Sequence, residues 1–312
     1  MRAKAVAGAL AILLAAGFGV AGDFGTGANR FTIDFVTMPG DAGDLGSWSA
    51  DNYTFSGVNR DDYRIGLYEI TNDQWNKFRT ELGVPVTGSP SDAYDDSPYW
   101  LETNVPTNMV SWYEAAQFVN WLNTSTGHHA AYKFTGMQGQ SDYAFDTWDS
   151  SEAVGNTNLY RHKDAFYYLP TEDEWVKAAY WNGTSIQTFA TPDGSAPIQG
   201  VETNWGRNSP WNVGSGSEEL NGTFDMMGNV SEWLESPFDD TSYGTASFRG
   251  LRGGRYWDGI SHGLGYYDRG IGNPRYEYPV RGFRVASQIP EPATLALLAL
   301  GGLALIRGRH SL

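Results

Sequence analysis

The chain has 312 residues, a formal net charge of −15 and a sequence pI of about 4.6. This acidity argues against a nucleic-acid partner, which requires a basic surface. The chain contains no cysteine, which excludes disulfide bonds and thiolate chemistry. Glycine is abundant (38 residues) and aromatic residues make up 14% of the chain, whereas only 18% of residues are charged. This composition predicts an irregular domain with long loops held by aromatic side chains.

Residues 1–22 predict a secretory signal peptide. Arg2 and Lys4 precede an apolar run over residues 5–20, and small residues at Gly19, Ala21 and Gly22 permit cleavage near residue 23. An N-terminal anchor that is never cleaved is the alternative. Both interpretations predict export across the inner membrane. A cleaved signal peptide also predicts signal peptidase as a partner.

Residues 290–312 predict a second targeting segment. Pro-Glu-Pro is followed by an apolar run over residues 293–306 and by a basic tail with Arg307 and Arg309. Fourteen helical residues span about 21 Å, less than the ~30 Å hydrocarbon core, so a transient anchor is predicted, with the basic tail on the cytoplasmic side. This segment resembles the PEP-CTERM sorting signal. The resemblance implies cleavage by an exosortase-type transpeptidase and an extracellular or cell-surface location.

Residues 23–289 predict one α+β domain with about three helices, short strands and long loops. Each helix is predicted from a capping box, a hydroxyl residue followed three positions later by Glu or Gln: Thr71 with Gln74, Ser111 with Glu114, and Thr171 with Glu174. Capping is therefore preferred to catalysis for Glu114 and Glu174. Strands are predicted within residues 31–41, 62–70, 165–170, 251–258 and 280–286, with the two ends of the domain close together.

Six phrases in this domain resemble the formylglycine-generating enzyme, or sulfatase-modifying factor, family. In chain order they are "YRIGLYEITNDQWNKF", "VPTNMVSWYEAAQFVNWLN", "YYLPTEDEWVKAAYW", "NGTFDMMGNVSEW", "LRGGRYW" and "RGFRVA". They lie within residues 30–286, in the family's order and approximate spacing. The resemblance implies an irregular C-type-lectin-like fold with little regular secondary structure.

The stretch "FDMMGNVSEW", residues 224–233, is a candidate calcium site. Carboxylates and backbone carbonyls are the ligands that Ca²⁺ prefers. The family resemblance implies a structural Ca²⁺ bound by Asp225 and Glu232 through their side chains, and by Gly228 and Val230 through their carbonyls. Asn204 and the carbonyl of Trp205 would form a second, weaker site, whose acidic loop is shortened here.

The alternative for this stretch needs no metal. Asn229 would hold the turn with its side chain, and Glu232 would pair with an arginine such as Arg252. Both interpretations stay open at the level of the sequence.

The region that carries the family's catalytic cysteines is cysteine-free here. In the aerobic enzymes, two cysteines bind copper and oxidise a cysteine of a sulfatase; the corresponding segment is residues 256–284. No other side chain in this segment replaces thiolates as soft ligands for Cu(I), so neither copper binding nor formylglycine generation by that mechanism is expected.

The same segment offers weak candidates for other chemistry: His262, Asp258, Asp268 and Arg269. Together with Trp257, Tyr266 and Tyr267 they predict an aromatic, charged pocket that suits a glycan or peptide ligand. The alternative places Trp257 and Arg269 in the core and uses Arg252 and Arg284 to satisfy buried carbonyls and acids. Three functions are compatible with these features: an exported non-catalytic module that acts in binding or surface assembly, an enzyme of the same fold with a non-cysteine site, or a structural component of the extracellular matrix.

Overall fold

The computed structural model describes residues 21–38, 49–50, 53–54, 63–239, 242–261 and 263–290. Both predicted targeting segments lie outside these ranges, apart from residues 21, 22 and 290. None of the helices in the described ranges is long and apolar enough to span a membrane.

The described residues form three α-helices and sixteen short strands. The helices are α1 (Asn72–Leu82), α2 (Trp112–Ser125) and α3 (Glu172–Tyr180). The strands are β1 (Gly22–Phe24), β2 (Phe31–Ile33), β3 (Phe35–Met38), β4 (Ser49–Ala50), β5 (Tyr53–Thr54), β6 (Tyr63–Gly66), β7 (Lys133–Thr135), β8 (Ala144–Asp146), β9 (Ala153–Val154), β10 (Asn158–His162), β11 (Tyr167–Tyr168), β12 (Ser231–Pro237), β13 (Arg249–Arg252), β14 (Gly270–Gly272), β15 (Arg281–Gly282) and β16 (Ala286–Gln288).

All three predicted helices are confirmed, and each begins with the predicted capping box. In α2 the Ser111 hydroxyl accepts from the amide of Glu114 at 3.2 Å, and the Glu114 carboxylate accepts from the Ser111 amide at 2.7 Å. In α3 Thr171 and Glu174 form the same pair at 3.2 and 2.7 Å. Glu114 and Glu174 therefore satisfy free amides at helix N-termini, as predicted.

Two four-stranded sheets organise the domain, with strand orders β11-β16-β6-β3 and β14-β13-β12-β15. In the first sheet β6 lies between β3, from the start of the domain, and β16, from its end. This pairing confirms that the two ends of the domain are close together. Each predicted strand segment contains strand, but the strands are shorter than the segments; residues 31–41, for example, divide into β2 and β3 at Asp34.

The core is aromatic and packs between the helices. Trp75 and Phe78 of α1 contact Phe118 of α2, with ring centroids 5.9 and 5.0 Å apart. Around α3, Trp175 packs in a second cluster with Met226 and Met227. This second cluster places the start of α3 directly against residues 224–233 and β13.

Helix α2 is more buried than its apolar stripe predicted. Its polar residues Asn120 and Asn123 are also buried, and their side chains bond to the backbone of neighbouring segments. Asn120 bonds to the amide and the carbonyl of Tyr132, at 2.8 and 2.7 Å. Asn123 does the same at β11, accepting from the Tyr167 amide at 2.9 Å and donating to its carbonyl at 2.8 Å. These two side-chain amides therefore satisfy backbone groups of Tyr132 and Tyr167 that would otherwise need hydrogen-bond partners from a neighbouring strand.

Candidate functional site

A cavity of about 440 Å³ opens beside β13 and β14. Its lining is rich in glycine and charged residues: Ser231, Leu251, Arg252, Gly253, Gly254, Arg255, Asp258, Gly263, Asp268, Arg269, Gly270, Ile271 and Arg281. Three of the four weak candidates, Asp258, Asp268 and Arg269, are brought together here. The fourth, His262, lies outside the described residues.

Arg252 and Arg269 form the wall of the cavity, and both are paired with Glu172 at the first position of α3. Arg252 Nη2 lies 2.7 Å from Glu172 Oε1, and Arg269 Nη2 lies 2.8 Å from Oε2. The guanidinium groups also donate to backbone carbonyls: Arg252 Nη1 to those of Tyr266 and Asp268, and Arg269 Nη2 to that of Phe238. These contacts match the structural alternative for Arg252 and Arg269.

The two aspartates are held by contacts within their own loops. Asp258 accepts from Arg255 Nε at 3.0 Å, and Arg255 Nη2 is 2.9 Å from the same carboxylate. Asp268 accepts from the amide of Gly265 at 2.9 Å. Catalysis by either residue stays a prediction that these contacts do not test.

Arg281 is the cavity cation whose charge has no carboxylate partner among the described residues. Its guanidinium lies over the rings of Trp233 and Tyr278, 5.0 and 4.3 Å from their centroids, and Nη1 is 3.5 Å from the carbonyl of Tyr276. Burial lowers the pKa of Arg281 to about 10, so the side chain keeps its charge at neutral pH. A desolvated cation without a counter-ion attracts an anion.

Exposed aromatic side chains surround the same region. Trp257 is 50% exposed and Tyr278 is 43% exposed, and Tyr276 packs edge-on against Tyr278. Trp257 therefore does not belong to the core, so that part of the structural alternative is wrong. Its ring contacts Tyr256, and the guanidinium of Arg255 lies 5.5 Å from its centroid. Flat exposed rings beside a cation suit a ligand with both apolar faces and negative charge.

The predicted turn in residues 224–233 is present. Gly228 and Asn229 have φ angles of 87° and 56°, and Asp225 has 59°. A Cβ atom on Gly228 would lie 2.2 Å from the carbonyl oxygen of Asn204, so the close approach requires glycine. Asn229 accepts from Trp211 N at 3.0 Å with its side-chain oxygen, as the alternative without a metal describes.

The two predicted calcium carboxylates are satisfied by protein donors. Asp225 accepts from Trp211 Nε1 and from the Gly214 amide, both at 2.7 Å. Glu232 accepts from Arg284 through both oxygens at 2.7 Å, and from Trp175 Nε1 at 2.9 Å.

Glu232 thus pairs with an arginine, as the alternative predicts, but the partner is Arg284. Arg252 lies opposite Glu232 in the β12–β13 ladder and sends its guanidinium to Glu172 instead. Calcium binding by Asp225, Gly228, Val230 and Glu232 stays a prediction.

Two further buried carboxylates lie beside this stretch, and sequence reasoning missed both. Glu69 accepts from Asn229 Nδ2 at 3.4 Å, and Glu219 accepts from the Met226 amide at 2.9 Å. The second oxygen of each is buried with no hydrogen-bond donor. Burial raises the pKa of Glu219 to about 8 and, with the nearby Asp225 charge, raises that of Glu69 well above its usual range. The negative charge of these carboxylates would therefore be reduced by bound protons or by a cation.

The residues of the weaker predicted calcium site adjoin the first. Asn204 is buried, and its side chain donates to the Ser209 carbonyl at 3.1 Å and to Asn229 Oδ1 at 3.2 Å. Trp205 is half-buried, and its indole nitrogen has no partner among the described residues. A calcium role for Asn204 and Trp205 also stays a prediction.

The fold and the cavity together define an α+β domain of the C-type-lectin-like class with a basic, cysteine-free pocket. Residues 21–289 match the sulfatase-modifying factor enzyme 1-like domain, and the chain belongs to this FGE-sulfatase family. Residues 288–309 match the PEP-CTERM protein-sorting motif, which implies processing by exosortase-type sorting machinery. Both resemblances found in the sequence are thereby confirmed.

Two characterised proteins are similar in sequence. Chaperone protein LppX of Paenibacillus barcinonensis is 26% identical over 242 residues, which cover 71% of this chain and 78% of LppX. Hercynine oxygenase of Mycolicibacterium smegmatis is 26% identical over 209 residues, which cover 62% of this chain and 44% of that enzyme. The chain therefore matches less than half of the length of the oxygenase.

Three solved structures share the fold. Treponema denticola variable protein 1 superposes with a TM-score of 0.60 at 22% identity, covering 86% of this chain and 99% of that protein. CarF gives 0.57 at 21% identity, covering 83% and 99%. PvdO from Pseudomonas aeruginosa gives 0.59 at 17% identity, covering 88% and 100%. At these identities the likeness shows the fold alone, and it confirms the predicted C-type-lectin-like architecture.

Proposed function

We propose that this protein is an exported binding module that captures an acidic glycan in the cavity beside β13 and β14. The observation that carries the proposal is Arg281, a partly buried guanidinium in the cavity with no carboxylate partner among the described residues. A uronic-acid carboxylate would supply the missing counter-charge through paired hydrogen bonds.

The neighbouring side chains support a sugar. Tyr278 is exposed beside Arg281, and Trp257 is exposed beside Arg255, a second arginine of the cavity. Aromatic rings stack on the apolar faces of sugar rings. The other three cavity arginines already contact Glu172 or Asp258, which leaves Arg281 to select the ligand charge. Export by the N-terminal signal and sorting by residues 290–312 would place the module outside the inner membrane.

The absence of cysteine supports binding over the family's oxidation chemistry. Purified protein incubated with copper, oxygen and a sulfatase-type cysteine peptide should form no aldehyde, because no thiolate is available to hold Cu(I). Mass spectrometry of the peptide provides the measurement, and a cysteine-containing family enzyme provides the positive control. Formylglycine in the product would contradict the proposal.

A glycan array tests the ligand class. Labelled protein should bind oligosaccharides that carry carboxylates. It should not bind neutral oligosaccharides, or acidic ones whose carboxylates have been reduced to alcohols. The variant Arg281→Gln should lose this signal, whereas Arg281→Lys should retain part of it because the charge remains. Equal binding to neutral and acidic glycans would contradict the proposed role of Arg281, and selective binding to acidic peptides would assign a different ligand.

A further inference from the structure

Two buried carboxyl groups from distant segments meet beside the start of α2. Glu114 lies in the first turn of α2, and Glu277 lies in the loop between β14 and β15. The two residues are only 7% and 8% exposed. Their side chains share a hydrogen bond. An ionised carboxylate can only accept hydrogen bonds, so this bond requires a proton on one of the two groups.

The other contacts of the pair show what the proton does. Glu114 Oε2 accepts from the Ser111 amide at 2.7 Å, and Glu277 Oε2 accepts from the Asp96 amide at 3.0 Å. Oε1 of Glu277 is buried and has no N–H or hydroxyl donor among the described residues. With the proton bound, the two carboxyl groups satisfy each other and carry one negative charge. Without it, two buried like charges repel each other.

The charged and titratable groups around the pair do not neutralise it. They come from α1, from the segment before α2 and from the β14–β15 loop itself: Arg79, Asp92, Tyr94, Asp95, Asp96 and Arg275. Arg275 is bound to Asp92 at 2.6 Å. Arg79 is exposed and, among the described residues, makes no ion pair with Glu114 or Glu277. The neighbouring acids add negative charge, which favours retention of the proton.

The electrostatic setting agrees with a shared proton. Burial and the opposing Glu277 charge raise the pKa of Glu114 well above its usual range, and burial raises the pKa of Glu277 to about 7. Both groups are ordinary solvated carboxyls in the unfolded chain. The contact is therefore formed in acidic solution and is lost as pH rises through the folded-state pKa.

The β14–β15 loop connects this pair to the cavity beside β13 and β14. The Met109 amide, from the segment before α2, donates to the Tyr278 carbonyl at 3.0 Å. Tyr276 and Tyr278 flank Glu277 and contact Arg281, through the Tyr276 carbonyl at 3.5 Å and the Tyr278 ring at 4.3 Å. A displacement of Glu277 would therefore disturb both contacts of Arg281.

We propose that Glu114 and Glu277 form a pH-sensitive contact that fixes the β14–β15 loop against α2 in acidic solution and releases it in alkaline solution. The consequence for ligands rests on the proposed function: release of the loop would loosen Tyr276 and Tyr278 around Arg281 and weaken glycan binding. The pKa of Arg281 is about 10, so the cavity keeps its positive charge while the carboxyl pair titrates.

Hydrogen–deuterium exchange of the purified protein, read by mass spectrometry at about pH 5.5 and about pH 8.5, tests the contact without a ligand. After correction for the intrinsic pH dependence of exchange, the amides of Asp96 and Met109 should lose protection at least tenfold at the higher pH. Glu277→Gln should keep this protection at both pH values, because its amide donates to Glu114 without adding a charge. Glu114→Gln should behave in the same way, so one folded variant is sufficient.

Glu219→Gln is the matched control. It removes a buried carboxyl whose pKa is also raised, to about 8, but which lies outside this loop, and it should leave the wild-type pH dependence of protection unchanged. The proposal is overturned if the wild type is equally protected at both pH values. It is also overturned if the two Glu→Gln variants of the pair, folded by circular dichroism, lose protection as the wild type does, or if Glu219→Gln abolishes the pH dependence.

The affinity for an acidic oligosaccharide at the same two pH values tests the consequence. The Kd of the wild type should rise at least tenfold at the higher pH, whereas that of Glu277→Gln should stay constant. A constant wild-type Kd together with pH-dependent protection would overturn the link to the cavity. Absence of binding at both pH values would contradict the proposed function, and the exchange measurement would still decide whether the carboxyl contact is pH-sensitive.

Discussion

Substitution of Glu172 by glutamine tests how the wall of the cavity beside β13 and β14 is held. The wild-type carboxylate neutralises two guanidinium groups at 2.7 and 2.8 Å, and the exposed fractions of the Glu172, Arg252 and Arg269 side chains are 0%, 0% and 2%. Glutamine has nearly the same shape but no charge, so two buried cations would lose their shared counter-ion. Removing one partner of a buried ion pair costs about 3–5 kcal/mol, and we expect at least the lower figure.

The matched control is Asp92→Asn, which removes the partner of Arg275. That pair is shorter, at 2.6 Å, but its side chains are 42% and 48% exposed. Exposed pairs contribute about 0–1 kcal/mol because water screens them, so burial rather than distance should decide the ranking. Comparing the two variants therefore shows whether burial or distance determines how much an ion pair contributes to stability.

Urea unfolding followed by tryptophan fluorescence gives the free energy of unfolding for all three proteins. We expect equal m-values, a large fall in the midpoint for Glu172→Gln and a small fall for Asp92→Asn. If Glu172→Gln lies within about 1 kcal/mol of the wild type, the ion-pair reasoning is refuted.

Three further predictions concern residues 219–232. Burial raises the pKa of Glu219 to about 8 from about 4.5, so the folded protein holds an extra proton between these pH values. The free energy of unfolding should therefore fall by up to about 1.4 kcal/mol per pH unit as pH rises from 5 to 8. Glu219→Gln should flatten this pH dependence when unfolding is measured at several pH values across the range. Gly228→Ala should destabilise the protein more than Gly183→Ala in thermal melts; both glycines have φ near 90°, but only at Gly228 would a Cβ meet a backbone oxygen. For the predicted calcium site, a chelator should lower the melting temperature of the wild type, and Glu232→Gln should reduce that response; an unchanged response would remove Glu232 from the metal's ligands.

The elements that the sequence predicted well are those with local signals. A capping box places its hydroxyl and its Glu or Gln within one turn, so the starts of α1, α2 and α3 follow from a few adjacent residues. The turn at Gly228 and Asn229 is local in the same way. The six segments that resemble the family, in the family's order, then indicated how the helices and strands combine into one fold.

The pairing of charges could not be predicted, because it depends on contacts between distant segments. Arg252, Arg269 and Arg281 all follow or precede glycine in similar phrases, yet two contact Glu172 and the third has no carboxylate partner among the described residues. Glu172 lies in the first turn of α3, where its charge favours the helix N-terminus. Its position at the start of α3, packed against β13, turns that carboxylate toward the cavity wall.

The proximity of three carboxylates near α2, those of Asp95, Asp96 and Glu277, could not be predicted for the same reason. Asp95 and Asp96 lie in a loop, and Glu277 lies between two tyrosines 181 residues after Asp96, so no local pattern indicates that these carboxylates meet. Glu114 carried a clear capping signal, which is correct for one of its oxygens. Only the tertiary structure shows that the same side chain faces Glu277.

The most direct test of the account is an equilibrium titration with the acidic oligosaccharide selected on the array. Wild-type protein, Arg281→Gln and the surface control Arg30→Gln are compared at low and high salt. We predict that Arg281→Gln raises Kd at least tenfold and loses most of its salt dependence, whereas Arg30→Gln binds like the wild type. Equal affinity of Arg281→Gln and the wild type would contradict the assignment of the cavity as the site of an anionic ligand.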